Sequence, residues 1–309
     1  MRTILCVVFR QATRRSTIQP MRKTLVLAGL LFGLHGNAMS GAEPPKFNPP
    51  RSYYLALGDS VTYGYQAWKV VAGLPPSSFN TGYVDDFGAR LRQIQHGITT
   101  VNYGCPGETT ASFITGPCAW AANHQLHDHF TGSQLDAAVA FLQAHPDEVS
   151  PITITLWGND VSTLVNSCLG DLTCVQNRAP RFLAQVSTNL STILRRLRAV
   201  APSSEIIVTG AWDSFISSFE FADPLFEALN ASMANVAAGQ QTRFADPFPV
   251  FNPQGDVNAE RQAMCSLTLV CATGDSHPSD IGYQALSDVV FEVSDYARLL
   301  VRGRRRAVR

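Results

Sequence analysis

The stretch YYLALGDSVTYGY, Tyr53 to Tyr65, runs from the apolar Tyr54, Leu55 and Leu57 directly into Asp59 and Ser60. A short apolar run closed by a turn signal reads as a buried strand. Gly58 and Gly64 bracket the serine, so the backbone can turn sharply there and approach a ligand closely. A small hydroxyl at the mouth of a buried strand is either a reactive group or the cap of the next turn.

Outward from this stretch, short apolar runs recur at Ile98 to Tyr103, Ile152 to Trp157, Ile206 to Thr209 and around Phe244. Helix-like segments separate them. The clearest covers 180 to 200, where Leu183, Val186, Leu190, Ile193, Leu194 and Leu197 recur at helical spacing. Pro180 reads as its first residue, and Arg195, Arg196 and Arg198 suit its last turn. Asp223 with Pro224 opens another helix, and Pro278 opens the C-terminal one. Strands alternating with helices predict a parallel sheet covered on both faces, with ligands bound beyond the carboxyl ends of the strands. Ser60 falls at such an end.

A serine hydroxyl becomes a nucleophile when a base takes its proton, and the resulting tetrahedral oxyanion needs hydrogen-bond donors. Near the C-terminus TGDSHPSDIGY places Asp275 and His277 together. After the second apolar run, NYGCPGETT offers the backbone of Gly107. After the third, LWGNDV offers the amide of Asn159. GDS alone is weak evidence, since it recurs at Gly274 to Ser276.

The ordered set GDSV, GETT, GND and SHP, carrying Ser60, Gly107, Asn159 and His277, resembles the four-block pattern of the GDSL or SGNH hydrolases over about residues 50 to 300. The resemblance implies an α/β fold: a flavodoxin-like three-layer αβα sandwich around a mostly parallel five-stranded sheet. It also implies cofactor-free ester hydrolysis, with Ser60 as nucleophile, His277 as base, and an oxyanion hole built from Ser60, Gly107 and Asn159. GDSV in place of GDSL is an apolar exchange. The family's last block carries Asp three residues before the His, where this chain has Gly274; Asp275 stands two before. The partner of His277 is therefore either the Asp275 carboxylate or the Gly274 carbonyl. Removal of acetyl groups from a polysaccharide, and a non-catalytic carbohydrate- or lipid-binding module, are the alternatives to an esterase or lipase.

Composition bounds the rest. The chain has 309 residues, 45% of them hydrophobic, which suits one large domain. Residues 1 to 42 read as a secretory leader, with Arg22 and Lys23 before an apolar stretch from Leu25 to Leu34 and small residues at Ser40 and Ala42. Met1 and Met21 are alternative starts, and Arg14–Arg15 is a weaker match to a twin-arginine signal. The domain is then 43–309, ending in the basic tail VRGRRRAVR. Losing the leader removes six basic residues and no acidic one, leaving a formal charge of −6. Such a surface repels nucleic acid. The expected partner is a small-molecule or lipid ester, with no stable membrane anchor and a monomeric state. Six cysteines remain after the leader, in three close pairs: Cys105 with Cys118, Cys168 with Cys174, and Cys265 with Cys271. They predict disulfides and a secreted or periplasmic location. The cluster NHQLHDHF, with His124, His127, Asp128 and His129, has no recognised ligand spacing and reads as a polar rim on the loop from Gly104 to His129, not as a metal site. Trp157, Trp212 and Phe215 lie near strand ends and suit either an acyl pocket or the core. Asn189 and Asn230 sit in glycosylation sequons.

Overall fold

A computed structural model of the chain describes residues 45–217, 222–253 and 256–300. The leader and the arginine-rich tail lie outside the described residues. In chain order the elements are β1 (Tyr53–Gly58), α1 (Ser60–Tyr63), α2 (Ala67–Val71), α3 (Tyr83–Ile94), β2 (Thr99–Asn102), α4 (Thr110–Thr115), α5 (Gln134–Ala144), β3 (Val149–Thr155), α6 (Gly158–Ser167) and α7 (Leu172–Val200). They continue with β4 (Ile206–Thr209), α8 (Asp223–Gly239), β5 (Arg243–Ala245), α9 (Phe248–Phe251), α10 (Val257–Leu267), β6 (Thr268–Leu269), α11 (Val270–Thr273), β7 (Asp275–Pro278) and α12 (Asp280–Val293).

β1 to β5 form one sheet in the order β2-β1-β3-β4-β5, and every pairing is parallel. Helices α3 and α12 pack together against it, as do α5, α7 and α8. The sheet is thus the flavodoxin-like arrangement anticipated, wholly parallel rather than mostly so. Burial explains the composition of β3: all seven residues are buried, as in a strand covered on both faces. Its hydroxyls are paired inside the core. Tyr54 Oη lies 2.8 Å from Thr153 Oγ1, Tyr83 Oη lies 2.8 Å from Thr155 Oγ1, and Thr209 Oγ1 donates to Thr155 Oγ1 at 2.6 Å.

The strand order reverses between β1 and β3, which opens a crevice at their carboxyl ends. Register aligns those ends, with Gly58 opposite Thr155, Thr155 opposite Thr209, and Thr209 opposite Ala245. Gly58 has φ +136°, and a Cβ there would stand 2.0 Å from the Thr155 carbonyl oxygen. Only glycine permits this closure, after which Asp59 N–H donates to Thr155 O at 3.0 Å.

Gln134, at the start of α5, clasps the same glycine. Its Oε1 accepts the Gly58 N–H at 2.7 Å, and its Nε2 donates to Gly58 O at 3.0 Å and to Glu108 Oε2 at 3.4 Å. Glu108 also accepts the Ser112 hydroxyl at 2.5 Å. The end of β1 and the loop after β2 are thereby tied to one side chain.

Three local expectations are corrected. Pro180 lies inside α7, which begins eight residues earlier at Leu172 behind an Asp171 cap that accepts the Cys174 N–H at 3.0 Å. Proline removes one helical hydrogen bond but has a helical φ, so the flanking turns carry the helix through it. Pro278 ends β7 instead of opening α12; Ser279 caps that helix, accepting the Gly282 N–H at 3.2 Å. The segment from Gly104 to His129 is partly helical, and the antiparallel pair β6–β7 had no counterpart in the sequence reading.

All three cysteine pairs close as expected, Cys105–Cys118, Cys168–Cys174 and Cys265–Cys271. Both sequon asparagines are buried and engaged: Asn189 Nδ2 donates to Thr110 Oγ1, and Asn230 pairs with both backbone groups of Ala211.

Burial raises the Glu108 carboxyl to about 7, against the hydrogen bonds from Ser112 and Gln134 that favour its anion. Between about pH 4.3, where an unfolded Glu titrates, and about 7, the folded chain keeps a proton the unfolded chain has released, so stability falls as pH rises through that window. Glu108→Gln is expected to flatten the decline by up to about 1.4 kcal/mol per pH unit within that window. Urea unfolding of both proteins at about pH 5 and about pH 8 measures it; equal declines would show that Glu108 does not carry the effect.

Candidate active site

Ser60 is the first residue of α1, immediately after Asp59, whose Oδ1 caps the helix by accepting the Val61 N–H at 2.9 Å. The hydroxyl is therefore held on a helical turn at the strand's mouth, only 8% exposed. His277 comes from the other end of the chain on β7. Its Nε2 lies 2.8 Å from Ser60 Oγ, and its Nδ1 lies 2.5 Å from Asp275 Oδ1.

Alternation along β7 puts Asp275 and His277 on one face. The carboxylate is anchored further: Asp275 Oδ2 accepts the Ala67 N–H at 2.7 Å, and Oδ1 accepts the His277 N–H at 3.2 Å. Burial pushes this carboxyl up, but the His277 ring and the two backbone N–H groups outweigh it and hold the group below the usual range. Tyr65 packs its ring on the imidazole with centroids 4.5 Å apart. Gln66 Nε2 donates to Asp280 Oδ1 at 2.9 Å, fixing the turn that follows His277.

Asn159 stands in the first turn of α6, at the end of β3. One hydrogen of its amide donates to Glu108 O at 2.9 Å, which orients the side chain and leaves the other hydrogen for a ligand. Gly107, one residue before Glu108, is exposed with φ +89° and is not among the cleft-lining residues. The second and third sequence blocks are also joined through Thr110, whose N–H and hydroxyl both donate to Asp160, at 2.9 and 2.7 Å.

The resulting cleft has a volume of about 320 Å³ and is lined on its reactive side by Ser60, Asn159 and His277. Apolar side chains line it as well: Trp157, Trp212, Phe215, Val161 and Val270. Trp157 and Trp212 belong at the same time to the main core and meet edge to face at 4.8 Å. Beneath the serine, burial raises Asp59 to about 7, opposed by the Val61 N–H and by the charge of His277.

His124 stacks on Trp120, and His127 Nε2 lies 2.9 Å from Tyr63 O. Among the described residues no group of three His, Cys, Asp or Glu is placed to hold a metal ion. The segment does reach the site's edge, because Trp120 packs on Tyr65 at 5.7 Å. Gln134, the Glu108 side chain and the Ala67 N–H escaped sequence reasoning. Gln134 and the Ala67 N–H act through partners far away in sequence, and the Glu108 side chain bonds both Ser112, four residues on, and the distant Gln134.

The profile of the GDSL-like Lipase/Acylhydrolase family matches residues 56–285. No curated protein matches the sequence. Among solved structures, the lipase Lip_vut3 from a goat rumen metagenome is 18% identical with a TM-score of 0.54, covering 80% of this chain and 99% of its own. An extracellular lipase from Streptomyces rimosus is 17% identical with a TM-score of 0.52, covering 78% and 99%. Phospholipase A1 from Streptomyces albidoflavus NA297 is 18% identical with a TM-score of 0.52, covering 79% and 99%. At such identities the structures share a fold with this chain, and the profile match over most of its length supplies the family: the chain belongs to the GDSL-like lipases and acylhydrolases.

Proposed function

We propose that the chain is a secreted serine esterase or lipase that cleaves carboxylic esters through an acyl-enzyme. The observation that carries this reading is the unbroken relay from Ser60 Oγ through both ring nitrogens of His277 to Asp275, at 2.8 and 2.5 Å. Ser60 Oγ attacks the ester carbonyl carbon as its proton passes to His277 Nε2. The Nδ1–H donates to Asp275, which fixes the tautomer and stabilises the imidazolium. The carbonyl oxygen, now an oxyanion, takes hydrogen bonds from the free Asn159 amide hydrogen and the Ser60 N–H, with the Gly107 N–H, outside the cleft's lining, as the third donor that the family pattern assigns. His277 then gives its proton to the leaving alcohol oxygen. Water deprotonated by the same ring attacks the acyl-enzyme, and the acid leaves as Ser60 recovers its proton.

The apolar side chains lining the cleft support an aliphatic acyl group over a bare acetyl. Three closed disulfides support an oxidising compartment, secreted or periplasmic. No helix among the described residues is long and apolar enough to cross a membrane. The proposed partner is a small-molecule or lipid ester met by a monomer, without nucleic acid.

Incubation with a fluorophosphonate probe tests the reading. Labelling should occur and vanish in Ser60→Ala; folded protein that takes no label would refute the serine chemistry.

Removing one oxyanion donor typically lowers kcat by about a hundredfold to a thousandfold, so Asn159→Ala should do so with the fold intact by circular dichroism. A variant keeping more than about half of the parent kcat would take Asn159 out of the oxyanion hole.

Asp275→Asn should lower kcat by several orders of magnitude, approaching the roughly ten-thousandfold loss seen when a triad Asp becomes Asn. Steady-state kinetics on a soluble ester reads this, and a loss below about tenfold would remove Asp275 from the relay.

A further inference from the structure

A second hollow, of about 260 Å³, lies between the first half of α7 and the start of α8. Its walls include Val165, Leu172, Val175, Leu183, Leu225 and Phe226; among the described residues Gln176 is the sole polar side chain on them, and no charged one lines it. Among the described residues a carboxylate or phosphate head group finds no cation there, whereas a hydrocarbon chain loses water against the apolar walls.

This hollow and the catalytic cleft share walls at two places. Phe215 lines both. Helix α6 serves both as well, with Asn159, Val161 and Ser162 on the cleft and Val165 on the hollow. Val161 and Val165 are one helical turn apart, about 6 Å along the axis. At the outer end, the Cys168–Cys174 disulfide closes the turn carrying Leu169 and Leu172. Leu169, 95% exposed, and Leu172, 38% exposed, extend the apolar surface outward. Leu164, Cys168 and Val175 form a packed apolar cluster of their own behind it, so the wall is firm.

We propose that this groove is a second acyl compartment, entered past Phe215 from the cleft, which makes the enzyme select esters of longer-chain fatty acids. The inference rests on the serine esterase reading above. The cleft takes the scissile ester and the first part of the chain, and the groove takes the rest. Phe215 stands where the two compartments join and sets how easily a chain passes.

The test compares kcat/KM for p-nitrophenyl laurate and butyrate in the full chain and in Ala179→Trp and Ala228→Phe, which place a large ring in the groove. Ala228 is exposed, so its variant keeps the fold if the first does not. The laurate-to-butyrate ratio is expected to fall about tenfold, the contact of roughly two methylenes. A fall of less than about threefold in a variant folded by circular dichroism overturns the proposal and leaves the groove to another molecule. Binding of cis-parinaric acid to the full chain with Ser60 in place separates the two readings. Binding weakened by Ala228→Phe, in a full chain that keeps Ser60 yet cleaves no ester, keeps the groove and removes the serine chemistry. Ester cleavage with an unchanged ratio does the reverse.

Discussion

The site depends on the absence of a side chain at Gly58. With φ at +136°, this residue brings the end of β1 so close to β3 that a Cβ would lie 2.0 Å from the Thr155 carbonyl oxygen. That contact lets Asp59 N–H reach Thr155 O, and α1 starts with Ser60 one residue later. A larger residue would part β1 from β3 at the level where β3 passes into α6 and presents Asn159. The constraint sits at the point of the sheet where strand order reverses, the one edge where a parallel sheet leaves room for a ligand between its connections.

The five sheet strands and the blocks around Ser60, Gly107, Asn159 and His277 were legible in the sequence, because each is announced by a few adjacent residues. A buried parallel strand is a continuous apolar run, and its end is marked by glycine and small polar residues. What the sequence hid were relations between distant residues. Gln134 holds Gly58 across 76 positions, and nothing in its surroundings marks it as more than a residue after a helix cap. Pro180 misled because the same φ suits a helix start and a helix interior; the true start was set by Asp171 and the Cys168–Cys174 link. The sequons at Asn189 and Asn230 were valid as sequence patterns, but the fold uses both amides inside the protein.

The choice left open beside His277 shows the same limit. Sequence spacing offered a carboxylate two residues away and a carbonyl three away. Gly274 adopts φ +78° as the cap of α11, a left-handed turn in which an aspartate would be strained. The chain then extends as β7, whose alternation turns Asp275 to the face of His277. The carboxylate is held there by the Ala67 N–H, 208 positions away. The shift of the acid by one residue is therefore a local consequence of where the turn falls.

Charge around the imidazole follows from what buries each carboxyl. Burial raises Asp59, Glu108 and Asp160, which adjoin Ser60, Gly107 and Asn159 in sequence; Asp59 and Glu108 reach about 7. Each accepts hydrogen bonds from groups that keep the site in shape: the Val61 N–H, the Ser112 hydroxyl, and the Thr110 N–H and hydroxyl. Their anions are disfavoured by the same burial that makes those bonds rigid. Asp275 is displaced the other way, because His277 and two backbone N–H groups favour its anion. Environments that push neighbouring carboxyls apart in acidity separate their roles. Here the firmly anionic carboxylate is the one at His277 Nδ1, while burial biases Asp59 and Glu108 toward the neutral form.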